Sequence, residues 1–355
     1  MKRPLLILTL VLLPLLAACG EESGEPASKS AVRDFPAPQG RILTANQAAN
    51  TISLIDVATD TTIGTVGTGA QPHHVVGTPD GKEFWVTLYG ENRVQVFDAQ
   101  TLKEIASVDL GASNDDLTFD PAGQRLYVSL GKNDEIAVVD VPARKLIQTV
   151  KVGKIPHGVK VTPDGKHLLV TNTADNTLSI LTTQPELTPK SIVKTGANPF
   201  EVTVSDDSAT AYVSNFLGDS IALVDLASEK VTGYIRSGKQ PAMLAVQPNA
   251  PQNIWVANTA SAEVWVLDAS TRKLVTRIPV GKGAHGVVMS ANGKIYVTNS
   301  TDNTLSVIDQ AQTKVIATIP VGNNPNGLSF LPNPSGQQEN MKLHQIGRPS
   351  ASDVM

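Results

Sequence analysis

The chain has a single cysteine, Cys19, in 355 residues, so no intramolecular disulfide can form and no c-type haem attachment sequence is present. Aromatic residues make up only 4% of the sequence, too few for a base-stacking platform of the kind that binds single-stranded nucleic acid. Positive charge is in slight deficit. Lys and Arg number 29 against 33 Asp and Glu, a formal net charge of −4. That balance argues against non-specific attraction to nucleic acid or to an anionic membrane surface. Nucleophile motifs, phosphate loops and dinucleotide fingerprints are all missing. So is helical periodicity longer than a turn after residue 18.

The one long apolar run lies at the start. Lys2 and Arg3 precede Leu5 to Leu16, interrupted only by Thr9 and Pro14. The run is too short to span a bilayer comfortably and reads as the core of a signal peptide over residues 1–18. Leu16-Ala17-Ala18-Cys19 closes it and resembles a bacterial lipobox, which implies cleavage before Cys19 and lipidation of that residue. The other reading is an ordinary small-residue cleavage site with an incidental cysteine. Cleavage leaves 355 − 18 = 337 residues and removes two positive charges, for a net charge of −4 − 2 = −6. Several acyl chains are enough for stable anchoring in a membrane. Gly20, not aspartate, follows the cysteine. In Gram-negative lipoproteins that pattern implies the outer membrane. The expectation is a cell-envelope lipoprotein, facing the periplasm or the cell surface if the organism is Gram-negative. Residues 19–40, rich in Gly, Ser, Glu, Pro and Ala, read as the lipidated cysteine and a flexible tether. Residues 333–355 are polar, match nothing else in the chain and are expected to form a disordered tail.

Between these ends the sequence repeats. Apolar-alternating runs end in Asp56, Asp98, Asp140, Asp225, Asp268 and Asp309, with Thr182 in the fourth place, at successive spacings of 42, 42, 42, 43, 43 and 41 residues. A glycine follows thirteen residues later, at Gly69, Gly111, Gly153, Gly238, Gly281 and Gly322; the fourth unit reaches Gly196 after fourteen. Seven units are thus in register. Within each, runs such as Glu263-Val264-Trp265-Val266-Leu267 alternate and favour β-branched or aromatic residues, while Pro163-Asp164-Gly165 and Asn292-Gly293 are hairpin signals. Four short strands in about 42 residues fit a blade of a β-propeller. The body, residues 41–332, starts in phase with a second strand and ends in phase with a first. The carboxy-terminal strand is therefore expected to complete the first blade and remove the free edges of the ring.

Tyr296-Val297-Thr298-Asn299, Trp255-Val256-Ala257-Asn258, Tyr212-Val213-Ser214-Asn215 and Leu169-Val170-Thr171-Asn172 resemble the YVTN-repeat (YncE-like) β-propeller family. The recurring Asp-Asn-Thr, Ile-Asp and Val-Gly elements agree with it. The resemblance implies an all-β fold, a seven-bladed propeller of four-stranded blades. It says less about activity, because such propellers include surface-layer-like proteins, lactonase relatives and domains of redox enzymes.

In that topology the fourth residue after each unit's glycine starts an innermost strand at the mouth of the central channel. The position holds His73, Asp115, His157, Phe200, Ala242, His285 and Asn326. Counting the closing strand as blade 1, the three histidines belong to blades 2, 4 and 7, separated around the ring by roughly 103°, 154° and 103°. With Asp115 nearby, His73, His157 and His285 are a candidate set for Zn or Cu. The resemblance adds that some related propellers hold copper through histidines at the channel mouth, with more of them than here. The alternative is a Pro-His-Gly turn beside a water-filled channel. Strand alternation is expected to turn His74, Asp116 and Glu201 away from the channel. The last residue of each second strand is Asn46, Leu88, Leu130, Asn172, Asn215, Asn258 or Asn299, with the asparagines expected to bond loop backbone. Leu88 and Leu130, with Tyr89, Phe200 and Phe216, are expected to make one side of the mouth more apolar. Trp85, Tyr127, Tyr212, Trp255 and Tyr296 recur at one place and are expected to be core between blades.

The leading functional expectation is a monomeric, membrane-anchored binding or scaffold propeller. His73, Asp115, His157, Phe200, His285 and Asn326 would face a protein or small-molecule ligand, with no nucleic-acid partner. A metal-assisted hydrolase or lyase of lactonase type, or a copper- or zinc-binding protein, is the alternative. No catalytic set maps onto the chain.

Overall fold

The computed structural model describes residues 40–246 and 253–333. The expected signal peptide, Cys19 with its tether up to residue 39, and the tail after residue 333 lie outside the described residues. The alternating runs form strands, as their β-branched content favours. These pair into seven four-stranded antiparallel sheets, each one blade. Blade 7 is representative: an inner strand Ala284–Met289, then Lys294–Asn299, Thr304–Asp309 and the outer strand Lys314–Pro320. Blade 1 is built from both ends of the body. Pro325–Leu331 pairs antiparallel with Arg41–Asn46, with Ile42 opposite Phe330 and Thr44 opposite Leu328. Leu328 and Leu331 of this closing strand are buried, each contributing about 2 kcal/mol of apolar burial to the closure.

The core lies between blades. Trp85 of blade 2 packs with Leu126, Val128 and Val139 of blade 3. Trp255 of blade 6 packs with Ile295, Val297 and Ile308 of blade 7, and Tyr296 of blade 7 with Ile42 and Ile55 of blade 1. The recurring aromatics are the wedges that join neighbouring blades, as their repetition implies.

The other repeated letters have distinct jobs. The Ile-Asp aspartates close turns: Asp98 Oδ1 accepts from the Thr101 N–H at 2.6 Å and Asp225 Oδ1 from the Ser228 N–H at 2.7 Å. The threonine of the second strand links blades. Thr171 Oγ1 accepts from the Gly158 N–H in its own blade and donates to the Phe200 carbonyl of the next, at 2.9 Å in both cases. Thr87 and Thr298 donate in the same way to the carbonyls of Asp115 and Asn326.

The asparagines bond mainly across the blade. Asn172 Nδ2 donates to Thr177 Oγ1 and Ser179 Oγ at 3.0 and 2.9 Å, while its Oδ1 accepts the Gly153 N–H at 3.1 Å. That last contact explains the repeat's glycine. A Cβ at Gly153, Gly196, Gly238, Gly281 or Gly322 would lie 2.5–2.7 Å from the side chain of the asparagine in the same blade. Asparagine and glycine, far apart in sequence, form one packed unit. In blade 2 the asparagine is replaced by Leu88, and Gln95 Oε1 accepts the Gly69 N–H instead, at 2.8 Å.

Candidate functional site at the channel mouth

Six of the seven inner strands carry the same irregularity. Pro72 pairs with Leu88 and Val75 with Val86, so three steps on the inner strand oppose two on its neighbour. The same shift separates Pro156 from Val159, Pro199 from Val202 and Ala284 from Val287. A bulge of this kind breaks alternation and re-aims side chains. Its consequence corrects the expectation for His74 and Glu201, which line the central channel; Asp116 lines it too, just before the short, unshifted inner strand Leu117–Phe119 of blade 3. Consecutive residues at the bulge thus serve the channel together, with His73, His157 and Phe200 at the mouth and His74 and Glu201 below them, joined by Asp116 of blade 3.

At the mouth the structure brings together three histidines and a phenylalanine from blades 2, 4, 5 and 7. The His73 and His157 rings meet edge to face with centroids 5.5 Å apart. Phe200 lies on His157 at 3.9 Å and contacts His285 edge to face at 5.5 Å. Tyr89 extends the chain of rings from His73 at 6.1 Å and Phe216 extends it from Phe200 at 5.3 Å. Tyr89 and Leu217 are 38% and 66% exposed, and Ile155, two residues before His157, is 52% exposed. The apolar side of the mouth is therefore real, but Leu88 and Leu130 are not part of it. Both are fully buried in the blade interfaces, where the asparagine amide would otherwise sit.

Ile155 also has φ +52°, a left-handed conformation that is costly for a β-branched side chain. The equivalent residues Asn198 and Asn324 are asparagines, which adopt it more readily.

The hydrogen bonds fix the tautomers. His73 Nδ1 lies 3.1 Å from the Asp115 carbonyl and His157 Nδ1 3.0 Å from the Phe200 carbonyl. A carbonyl oxygen can only accept, so Nδ1 carries the proton in both rings and Nε2 keeps its lone pair. Among the described residues no protein group donates to either Nε2. His285 Nδ1 is buried without a partner. Burial, followed by the neighbouring histidines, holds all three imidazoles neutral: His73 falls to about 4, His285 to about 3, and His157 well below its ordinary value.

Asp115 stands apart from this group. Its Oδ2 accepts from the Gly131 N–H at 3.3 Å, and burial raises its carboxyl to about 7. Asn326, from blade 1, donates to Gln47 Oε1 at 3.3 Å in the neighbouring loop. Among the described residues no group of three or more His, Cys, Asp or Glu is arranged to hold a metal ion. Phe200 occupies the space between His157 and His285, leaving His73 and His157 as the adjacent pair. His167 opens a strand of blade 4, away from the mouth.

A model of the YncE-like β-propeller matches residues 92–292. The chain belongs to this family. A search of curated proteins found no match. Among solved structures, the YncE-like body resembles a functionally unknown protein from Desulfotomaculum acetoxidans at 16% identity and TM-score 0.73, over 82% of this chain and 98% of that one. A protein from Bacteroides uniformis described as a candidate 6-phosphogluconolactonase aligns at 13% identity and TM-score 0.69, over 82% and 99% of the two chains. Hydrazine synthase from Kuenenia stuttgartiensis aligns at 19% identity and TM-score 0.65, over 72% and 88%. At these identities the likeness concerns the fold.

Proposed function

We propose that this YncE-like propeller is an envelope-anchored binding module that captures a protein segment or small molecule at its channel-mouth face. The observation that carries the reading is the run of rings from Tyr89 through His73, His157 and Phe200 to Phe216 and His285. It offers aromatic faces next to two imidazole lone pairs and is flanked by exposed Ile155 and Leu217. Such a surface suits a ligand with an apolar or aromatic body and a hydrogen-bond donor. The Leu16-Ala17-Ala18-Cys19 pattern supports anchoring through a lipid on Cys19.

The smallest probe of that chemistry is N-acetyl-tyrosinamide, titrated by calorimetry against the purified chain. Saturable binding is expected, weakened by Phe200→Ala, and N-acetyl-phenylalaninamide, which lacks the hydroxyl, binds less well. Equal binding to the Phe200→Ala variant contradicts the proposal. Lactone hydrolysis that disappears in His73→Ala or His285→Ala overturns it in favour of an enzyme.

One observation favours a second reading. An imidazole whose Nδ1–H is held by a backbone carbonyl is arranged as metal-bound histidines are, and His73 and His157 both have this arrangement. Zinc or copper retained by untagged protein, and lost in His157→Ala, selects this reading over simple ligand capture.

A further inference from the structure

Below the mouth, the seven inner strands enclose a cavity of about 290 Å³ that none of the six mouth residues lines. That volume holds on the order of ten waters or one small organic molecule. Its polar groups are few and fixed. Asp116 is satisfied on both oxygens, accepting from the Leu117 N–H at 2.8 Å and from the Val159 N–H of the next blade at 2.9 Å. His74 Nδ1 lies 3.2 Å from Asp116 Oδ1 without hydrogen-bond alignment, and both ring nitrogens are buried and unbonded. Glu201 is 6% exposed; its Oε1 accepts the Val202 N–H at 2.9 Å, and its Oε2 has no hydrogen bond among the described residues.

Glycines in the blades before them seat these side chains. A Cβ at Gly158 would lie 2.7 Å from Glu201 Oε1, and one at Gly327 would overlap the His74 ring. The groups are therefore held in place, and Glu201 Oε2 is left free to pair with something in the cavity.

Burial, and then the neighbouring Asp116 carboxylate, raise the Glu201 carboxyl well above its ordinary range, and a cation placed beside these two groups would draw it back to its ionised form, so a ligand that donates hydrogen bonds and carries positive charge suits the pair. The rest of the wall is largely apolar, including Met243, Val287 and Leu328. We propose that the channel cavity binds a small aliphatic ammonium compound. Its nitrogen is held by Glu201 Oε2 near the charge of Asp116, and its carbon chain lies against Met243 and the apolar wall. Lys160 of blade 4, exposed where it borders the cavity, repels a second positive charge and so favours monoamines over diamines.

Calorimetric titration of the full-length chain with n-butylammonium chloride tests the site. One saturable site is expected. Glu201→Gln, which keeps the shape but cannot ionise against the ammonium, should weaken it by about tenfold or more. Met243→Trp should abolish binding by filling the cavity, and 1,4-diaminobutane should bind more weakly than the monoamine. A melting temperature for each variant close to that of the native chain separates lost binding from lost folding. The proposal is overturned by absence of saturable binding to the native chain, by unchanged affinity in folded Glu201→Gln and Met243→Trp, or by a diamine that binds as tightly as the monoamine.

Discussion

Gly281→Ala is the sharpest test of how the repeat holds together. Gly281 has no left-handed φ, so alanine there strains no backbone; the added Cβ instead arrives 2.5 Å from Asn299 Cγ. An ordinary contact needs roughly 1 Å more. Asn299 is fully buried and donates to Thr304 Oγ1 and Ser306 Oγ at 3.0 and 2.9 Å, so a shift of that size breaks both bonds. Overpacking costs about 1–3 kcal/mol and each lost hydrogen bond about 1 kcal/mol, so the expected destabilisation is about 3 kcal/mol. In a domain of this size that lowers Tm by about 6–10 °C. Gly67→Ala is the control: a Cβ there meets nothing within 4 Å. Its effect should stay within about 0.5 kcal/mol. The deciding measurement is a double-mutant cycle by urea denaturation. In an Asn299→Gly background the Gly281→Ala penalty should fall below about 0.5 kcal/mol, because both the amide and the Cβ that a new Cβ would meet are gone. A penalty that persists undiminished refutes the claim that glycine and asparagine form one unit.

Further outcomes follow from the mouth and the blade interfaces. Because the fold holds His73 at about 4 and His285 at about 3, below the unfolded value of about 6.5, the unfolded chain takes up protons first on acidification. Their contribution is complete above about pH 6.5 and is lost as pH falls towards about 4 and then 3, so urea midpoints should decline over that window and decline less in His285→Asn. Ile155→Asn relieves the strained φ of +52° and should stabilise the chain by about 1 kcal/mol in thermal melts, while weakening N-acetyl-tyrosinamide binding. Thr171→Val removes both the acceptor for the Gly158 N–H and the donor to the Phe200 carbonyl, at an expected cost of about 2 kcal/mol by chemical denaturation.

The blades are legible in the sequence because structural residues recur: Asp98, Asp140 and Asp225 close the same turn, and Trp85, Trp255 and Tyr296 fill the same interface. The closing strand is legible from phase alone. The mouth position is legible as the place where blades differ, and His73, His157, Phe200 and His285 do meet there. The bulge is not legible from alternation, since the extra residue between Pro72 and Val75 looks like ordinary strand. For that reason His74 and Glu201 are missed as channel residues, although the equivalent positions in three other blades hold Gly158, Gly286 and Gly327, which leaves room for the larger side chains. Leu88 and Leu130 mislead for a related reason: a change at a repeated position looks like a change of surface, whereas here it is a change of core packing, compensated in blade 2 by Gln95.

The central claim is that the mouth face, and not the rim, is the binding surface. Site-specific photocrosslinking in the native cell tests it, with a photoreactive residue in place of Leu217 at the mouth face or of Ile316 on an outer strand, both exposed. The account predicts a discrete adduct from position 217 that is lost when Phe200→Ala is added, and none from position 316. Adducts from both positions alike, or none from position 217, would contradict it.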